Sequence, residues 1–167
     1  LEINTNNLTI NHIPLEYNTQ YYITISSSAI ESTTGTPFAG ISLNTDWAFT
    51  TETQAPNISS TNPTNGDSGV LIGQDLTITF DTDIQFSDAF NRIRVRRYTD
   101  NSIYETFVVE GVDTDPTLSI SARTLTISHI DFEYNTRYYV TIGDGAIEST
   151  GGTPFSGFAD NATWNFT

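Results

Sequence analysis

The chain has 167 residues, with 20 acidic and 6 basic side chains, a formal net charge of −14 and 37% hydrophobic residues. That much apolar material excludes wholesale disorder, and the sign of the charge argues against nucleic acid and anionic membranes as partners. Cys and Lys are both absent, which removes disulfides, thiolate metal sites and cysteine nucleophiles, together with Schiff-base chemistry, a Walker lysine and lysine–asparagine cross-links.

Met is absent too, so the natural start is expected to lie outside this stretch. The opening LEINTNNLTI has no basic region ahead of an apolar one and does not read as a signal peptide. No apolar run approaches the roughly 20 residues that span a bilayer.

In chain order, residues 7–50 read NLTINHIPLEYNTQYYITISSSAIESTTGTPFAGISLNTDWAFT, and residues 124–167 read TLTISHIDFEYNTRYYVTIGDGAIESTGGTPFSGFADNATWNFT. The two align without a gap at an offset of 117, with about 27 of 44 positions identical. Internal repetition of this kind is a property of arrays whose units touch mainly their neighbours. A unit of about 117 residues would end at Thr50 and again at Thr167. The first would lack roughly its first 67 residues, and the parent chain is expected to be longer. The expected domains are 1–52, the C-terminal part of a repeat, and 53–167, a complete repeat, with TTETQAP (50–56) as the link.

Beyond the link nearly everything reads as strand. PTNGDSG (63–69) is a turn. In DLTITF, Leu76, Ile78 and Phe80 face one way and Thr77 and Thr79 the other. Segments 92–98 and 103–109 read as a hairpin through Thr99–Ser102. GVDTDP (111–116) is a turn; TLTIS then places Leu125 and Ile127 inward, and RYYVTI does the same for Tyr138, Val140 and Ile142. The tail TWNFT alternates Trp164 and Phe166 with polar residues. No stretch has a sustained 3.6-residue period. The fold class is therefore all-β, an antiparallel sandwich of short strands.

PTNGDSGV, LTITFDTDIQF, EYNTRYYVTI, GAIEST, GGTPFSG and TWNFT together resemble the bacterial Ig-like repeat of S-layer proteins and giant surface adhesins. The resemblance covers 55–167 and, as its C-terminal part, 1–50. It implies a tandem array of antiparallel Ig-like β-sandwiches without catalytic residues, acting as spacer, stalk or assembly module in an extracellular, secreted or cell-surface protein. Many such repeats carry an Asp and then Gly-Asn before the last strand. Here those places hold Ser149 and Gly152–Thr153, and Ser32 and Gly35–Thr36 in the first copy.

Several constellations invite chemistry. His12 and His129, the only histidines, occupy equivalent positions; catalysis would need a partner fixed beside each, and the plainer reading is a duplicated strand-end residue. Trp47 and Trp164, with Phe49 and Phe166, are expected in the core of a last strand rather than on a sugar platform, both tryptophans in the same environment. Tyr22 and Tyr139 point the other way, as surface-contact candidates.

Arg92, Arg94, Arg96 and Arg97 read either as a docking patch for an acidic partner, such as a neighbouring repeat, or as a solvent face or charges guarding an edge strand, with Glu105 within reach of one of them. Asp81/Asp83 and Asp113/Asp115 are spaced i, i+2, which places each pair on one side of an extended chain. They are candidate Ca²⁺ ligands, with solvated loop acids as the plainer reading. The sequons at Asn7, Asn57, Asn161 and Asn165 arise from composition.

The sequence thus predicts a non-enzyme with no cofactor beyond calcium. Its partners would be neighbouring repeats of the same chain or identical chains in a filament or lattice. The alternative is a ligand- or carbohydrate-binding accessory module.

Overall fold

In the computed structural model, which describes residues 1–167, the chain divides into two units, Leu1–Thr53 and Gln54–Thr167.

The second unit contains two four-stranded sheets. One has β5 (Ile58–Asn62), β6 (Leu76–Phe80), β10 (Leu118–Ser121) and β11 (Thr124–Ile127), in the order β10-β11-β6-β5. The other has β8 (Asn91–Arg97), β9 (Ile103–Val109), β12 (Tyr138–Ile142) and β14 (Asn165–Phe166), in the order β14-β12-β8-β9. A shorter pair joins β7 (Ile84–Phe86) to β13 (Ile147–Ser149). Every strand pairing is antiparallel, and the only helical element is a 3₁₀ turn at Gly111–Asp113.

The alternation explains why these sheets meet. Leu76, Ile78 and Phe80 on β6 and Leu125 and Ile127 on β11 project from one sheet, and Ile93, Val95, Phe107, Val109, Val140 and Ile142 from the other, into one buried cluster. Burying a side chain of this size contributes about 1.5–3 kcal/mol. Trp164 is buried at the centre, and its indole N–H donates to the Pro63 carbonyl at 2.8 Å, so its one polar group is satisfied where water is excluded. Phe132, Tyr138 and Phe166 pack on one another beside it, with ring centroids 4.6 and 5.3 Å from Phe132.

The outer face of the second sheet is covered as well. Tyr139, expected at the surface, is only 4% exposed. Its ring meets Tyr98 edge-on at 6.1 Å, its hydroxyl donates to Asn101 Oδ1 at 3.1 Å, and the Arg137 guanidinium lies 3.8 Å over the Tyr98 ring. The loop that closes the hairpin folds back over this face, and strand alternation alone does not foretell that cover.

The first unit has β1 (Glu2–Asn4) paired with β2 (Asn7–Thr9) and β3 (Gln20–Tyr22) paired with β4 (Ala48–Thr50). Its backbone reproduces the second unit at the same offset. Ile23 N–H donates to Trp47 O at 3.0 Å, as Val140 N–H does to Trp164 O at 3.0 Å. Ile25 N–H reaches Ile41 O at 2.9 Å, as Ile142 N–H reaches Phe158 O at 2.9 Å. Gly40 and Gly157, which end the two TPFxG motifs, both have positive φ, and a Cβ at either would collide with the backbone oxygen of Ile25 or Ile142.

The side chains do not follow. Trp47 and Phe49 are each 39% exposed, whereas Trp164 and Phe166 are at 0% and 1%. Leu8, Ile10, Tyr21, Ile23 and Ile25, whose counterparts are buried, are only partly covered. The expectation that Trp47 shares the environment of Trp164 is thus corrected. Its unit contains no counterparts of β6, β8 and β9, the strands that close the core over Trp164.

In a Trp47→Phe chain the remaining indole should emit to the blue of a water-exposed tryptophan and resist acrylamide. A Trp164→Phe chain, where it folds, should leave an accessible, red-shifted emitter; equal quenching of both would contradict the structure. Ile78→Ala should lower the stability of the second unit by about 2–5 kcal/mol, read from denaturant midpoints.

Candidate functional site

Each group that suggested chemistry has a defined place. His129 has Nδ1 2.7 Å from Ile130 O and Nε2 2.8 Å from Gln74 O, and its ring stacks on Phe132 at 3.9 Å. Both nitrogens face carbonyl oxygens, so neither is offered to a nucleophile or a metal. His12 repeats half of the arrangement, with Nδ1 2.6 Å from Ile13 O.

The arginines lie on β8, between β12 and β9. The edge-guarding alternative is therefore corrected, because this strand is interior; the solvent-face alternative fits Arg92, which is exposed. Ile93 and Val95 turn into the core and Arg92, Arg94 and Arg96 to the outer face. The register shift at Val95 and Arg96 leaves the extra residue, Tyr104, in β9, while β8 pairs with β12 without a break, so by simple alternation the side taken by Ile93 and Val95 is also that of Arg97. Its guanidinium lies 4.9 Å over the Tyr104 ring and pairs with Glu133 at 2.7 Å. That hydrogen bond holds the Glu133 carboxyl below its ordinary pKa and raises that of Arg97. Arg92 stacks on Phe90 at 4.4 Å, and Arg96 donates to Asn101 O at 3.0 Å. Glu105 pairs with none of them and accepts from Ile130 N–H at 3.1 Å.

Of the four aspartates proposed for calcium, Asp81, Asp83 and Asp115 use their carboxylates to hold local structure. Asp81 Oδ1 accepts Asn57 N–H at 2.8 Å, and its Oδ2 accepts Gln54 Nε2 and Asn57 Nδ2 at 2.8 and 3.2 Å. The Asn57 backbone bond is the main cause of its lowered pKa. Asp83 pairs with Arg123 at 3.2 Å. Asp113 closes the 3₁₀ turn. Asp115 Oδ1 accepts the Thr117 N–H and hydroxyl at 3.0 and 2.6 Å, an Asx-type turn. No three or more His, Asp or Glu side chains gather anywhere in a form that would hold a metal ion.

One local motif is repeated in both units, and a second is found only in Gln54–Thr167. Ser149, where the resemblance led one to look for Asp, accepts Thr153 N–H on its hydroxyl at 3.1 Å while its own N–H donates to Thr153 O at 2.8 Å. Ser32 and Thr36 repeat this at 3.0 and 2.8 Å, so the serines close the same turn in both units. Asn165 is buried among Arg137, Asn65 and Asn161 O, which closes that sequon to modification.

Nothing in the residue types of EYNT (16–19 and 133–136) marks it as more than a loop. In the first unit this loop grips the chain that leaves β4: Thr51 N–H donates to Thr19 O at 3.0 Å and Thr19 N–H to Thr51 Oγ1 at 2.9 Å. The signal that would have found it is the identity of all four loop residues in both copies.

A family model for the bacterial Ig-like domain matches residues 52–167, well over half of the chain. No curated protein and no solved structure matches it.

Because its folded pKa lies below the ordinary 3.8, Asp81 contributes stability that is fully present above that value and lost as pH falls through the lowered one. Asp81→Asn should therefore lower the denaturant midpoint at pH 7, with the difference from the parent shrinking below about pH 4. A difference independent of pH would contradict the assignment.

Proposed function

We propose that this chain, which belongs to the bacterial Ig-like domain family, serves as a non-enzymatic spacer or assembly module of a cell-surface or secreted protein. On this reading Gln54–Thr167 is one complete Ig-like repeat, and Leu1–Thr53 is the C-terminal part of another.

The observation that carries it is the recurrence of the same backbone hydrogen bonds 117 residues apart, around tryptophans buried in one unit and half-exposed in the other. Repetition of an entire local architecture suits a module whose work is to be multiplied. The surplus of 14 negative charges favours it too, since like charges keep linked units soluble and apart. The strands that complete the first unit have the pattern of 54–117: an alternating strand like β6 and a hairpin like β8–β9. They come from the same polypeptide or, in a filament or lattice, from an identical chain. The carbohydrate-binding alternative draws little support, because the tryptophan of the complete unit is core.

The test is a chain in which a copy of residues 51–117 precedes Leu1. Trp47 should move to blue emission and resist quenching, and the cooperative unfolding enthalpy should rise about twofold, as it scales with the residues folded. A Trp47 that stays as accessible as before would sink the repeat assignment. The same chain should leave a glycan array blank; capture of a defined glycan would transfer the reading to a binding module.

A further inference from the structure

Glu-Tyr-Asn-Thr occurs at 16–19 and again at 133–136, and the two loops are built alike. Glu16 N–H donates to the Tyr21 hydroxyl at 3.1 Å, as Glu133 N–H does to that of Tyr138 at 3.1 Å. Thr19 Oγ1 donates to Tyr17 O at 2.9 Å, and Thr136 Oγ1 to Tyr134 O at 3.1 Å. Asn18 and Asn135 are both left-handed, with φ of 47° and 52°, a conformation that Asn tolerates better than most residues.

The loops differ in what they hold. Besides the two bonds between Thr51 and Thr19, Thr51 Oγ1 donates to Glu16 O at 2.6 Å, and Asn18 N–H donates to Glu52 O at 2.9 Å. Four bonds thus fix a two-residue segment, and the Thr hydroxyl is central because it accepts from one backbone group and donates to another. In the second loop the matching groups, Asn135 N–H, Thr136 N–H and the carbonyls of Glu133 and Thr136, have no partner within the protein. They sit beside Thr167 on a shallow groove with an apolar floor, where Leu71 is 73% and Tyr134 83% exposed.

We propose that Glu133–Thr136 is a docking strip for an extended Thr-Glu segment continuing the line of β14, seated as Thr51–Glu52 is on Glu16–Thr19. The occupant is specified by the filled copy: extended main chain for the Asn135 N–H, and a β-hydroxyl for the Thr136 N–H and the Glu133 carbonyl. Ser would supply the hydroxyl, while Val, of the same shape, would not. The inference deepens the spacer reading by naming how a unit retains the segment that leaves it.

The experiment is amide hydrogen exchange by NMR on the full chain and on the same chain extended by Thr-Glu-Thr-Gln after Thr167. Asn18 and Thr19 serve as the filled reference in both. The extension should slow exchange at Asn135 and Thr136 by tenfold or more, and an extension beginning Val-Glu should return Thr136 to the rate of the unextended chain. In parallel, Thr51→Val should speed Thr19 by a similar factor. Unchanged rates at Asn135 and Thr136 upon extension would overturn the proposal, and so would free exchange at Asn18 and Thr19 in the parent, since the template would then be absent. The readout is independent of Trp47, so failure here leaves the repeat reading standing, and failure there leaves the strip intact.

Discussion

Each sheet of the Gln54–Thr167 unit has one apolar face, and the unit depends on those faces meeting. The chain itself contains the comparison. The bonds from Val140 N–H to Trp164 O and from Ile23 N–H to Trp47 O have the same length, so the ladder forms with or without an opposing sheet. Only the burial differs. Because a backbone hydrogen bond in water contributes a net of about 1 kcal/mol, while a tryptophan or phenylalanine gains more from leaving water, the difference between the two units lies in the apolar term. Satisfaction of polar groups follows from it: the indole N–H of Trp164 finds Pro63 O only because the segment before β6 crosses over the core.

Much of this was legible from residue order. Alternation in DLTITF and TLTIS marked β6 and β11 with the correct inward residues, because a strand with one buried face writes its period into the sequence. The hairpin of β8 and β9 followed from turn residues between two β-rich runs. What stayed hidden depends on pairing between distant segments. That β8 lies inside its sheet is decided by β12, more than forty residues on, and so the arginines looked like edge guards. Tyr139 alternates outward as expected, yet the hairpin loop and Arg137 cover it; period-2 reasoning says which face a residue takes and not what arrives on that face. Glu105 was within plausible reach of an arginine, but the loop at Ile130 took its carboxylate.

The candidate site was the least legible part, for a reason that applies to duplicated sequences generally. Residues with familiar chemistry (two histidines, four aspartates, a run of arginines) attract attention by type. Here they serve turns, stacking and the linker. Asp115 accepts the N–H of Thr117 two residues on, Asp81 that of Asn57 just ahead of β5, and Asp83 pairs with Arg123, uses of carboxylates that spacing alone does not separate from metal binding. The four-residue loop that grips Thr51 contains nothing unusual in type, and its significance appears only when both copies are compared bond by bond.

One pairing in the second unit runs against the rest. The segment after Pro63 lies parallel to the final strand: Gly66 N–H donates to Asn165 O at 2.6 Å, Thr167 N–H to Asp67 O at 2.8 Å and Val70 N–H to Thr167 O at 3.0 Å. Tension applied between the two ends of the unit would drag these neighbouring segments in opposite directions along their common axis. The three bonds would then be sheared together rather than peeled one after another, as happens when an antiparallel hairpin is pulled open from its ends. A module held this way yields abruptly, at a force set by the whole set of bonds, and the strands behind it carry little of the pull until that set gives way.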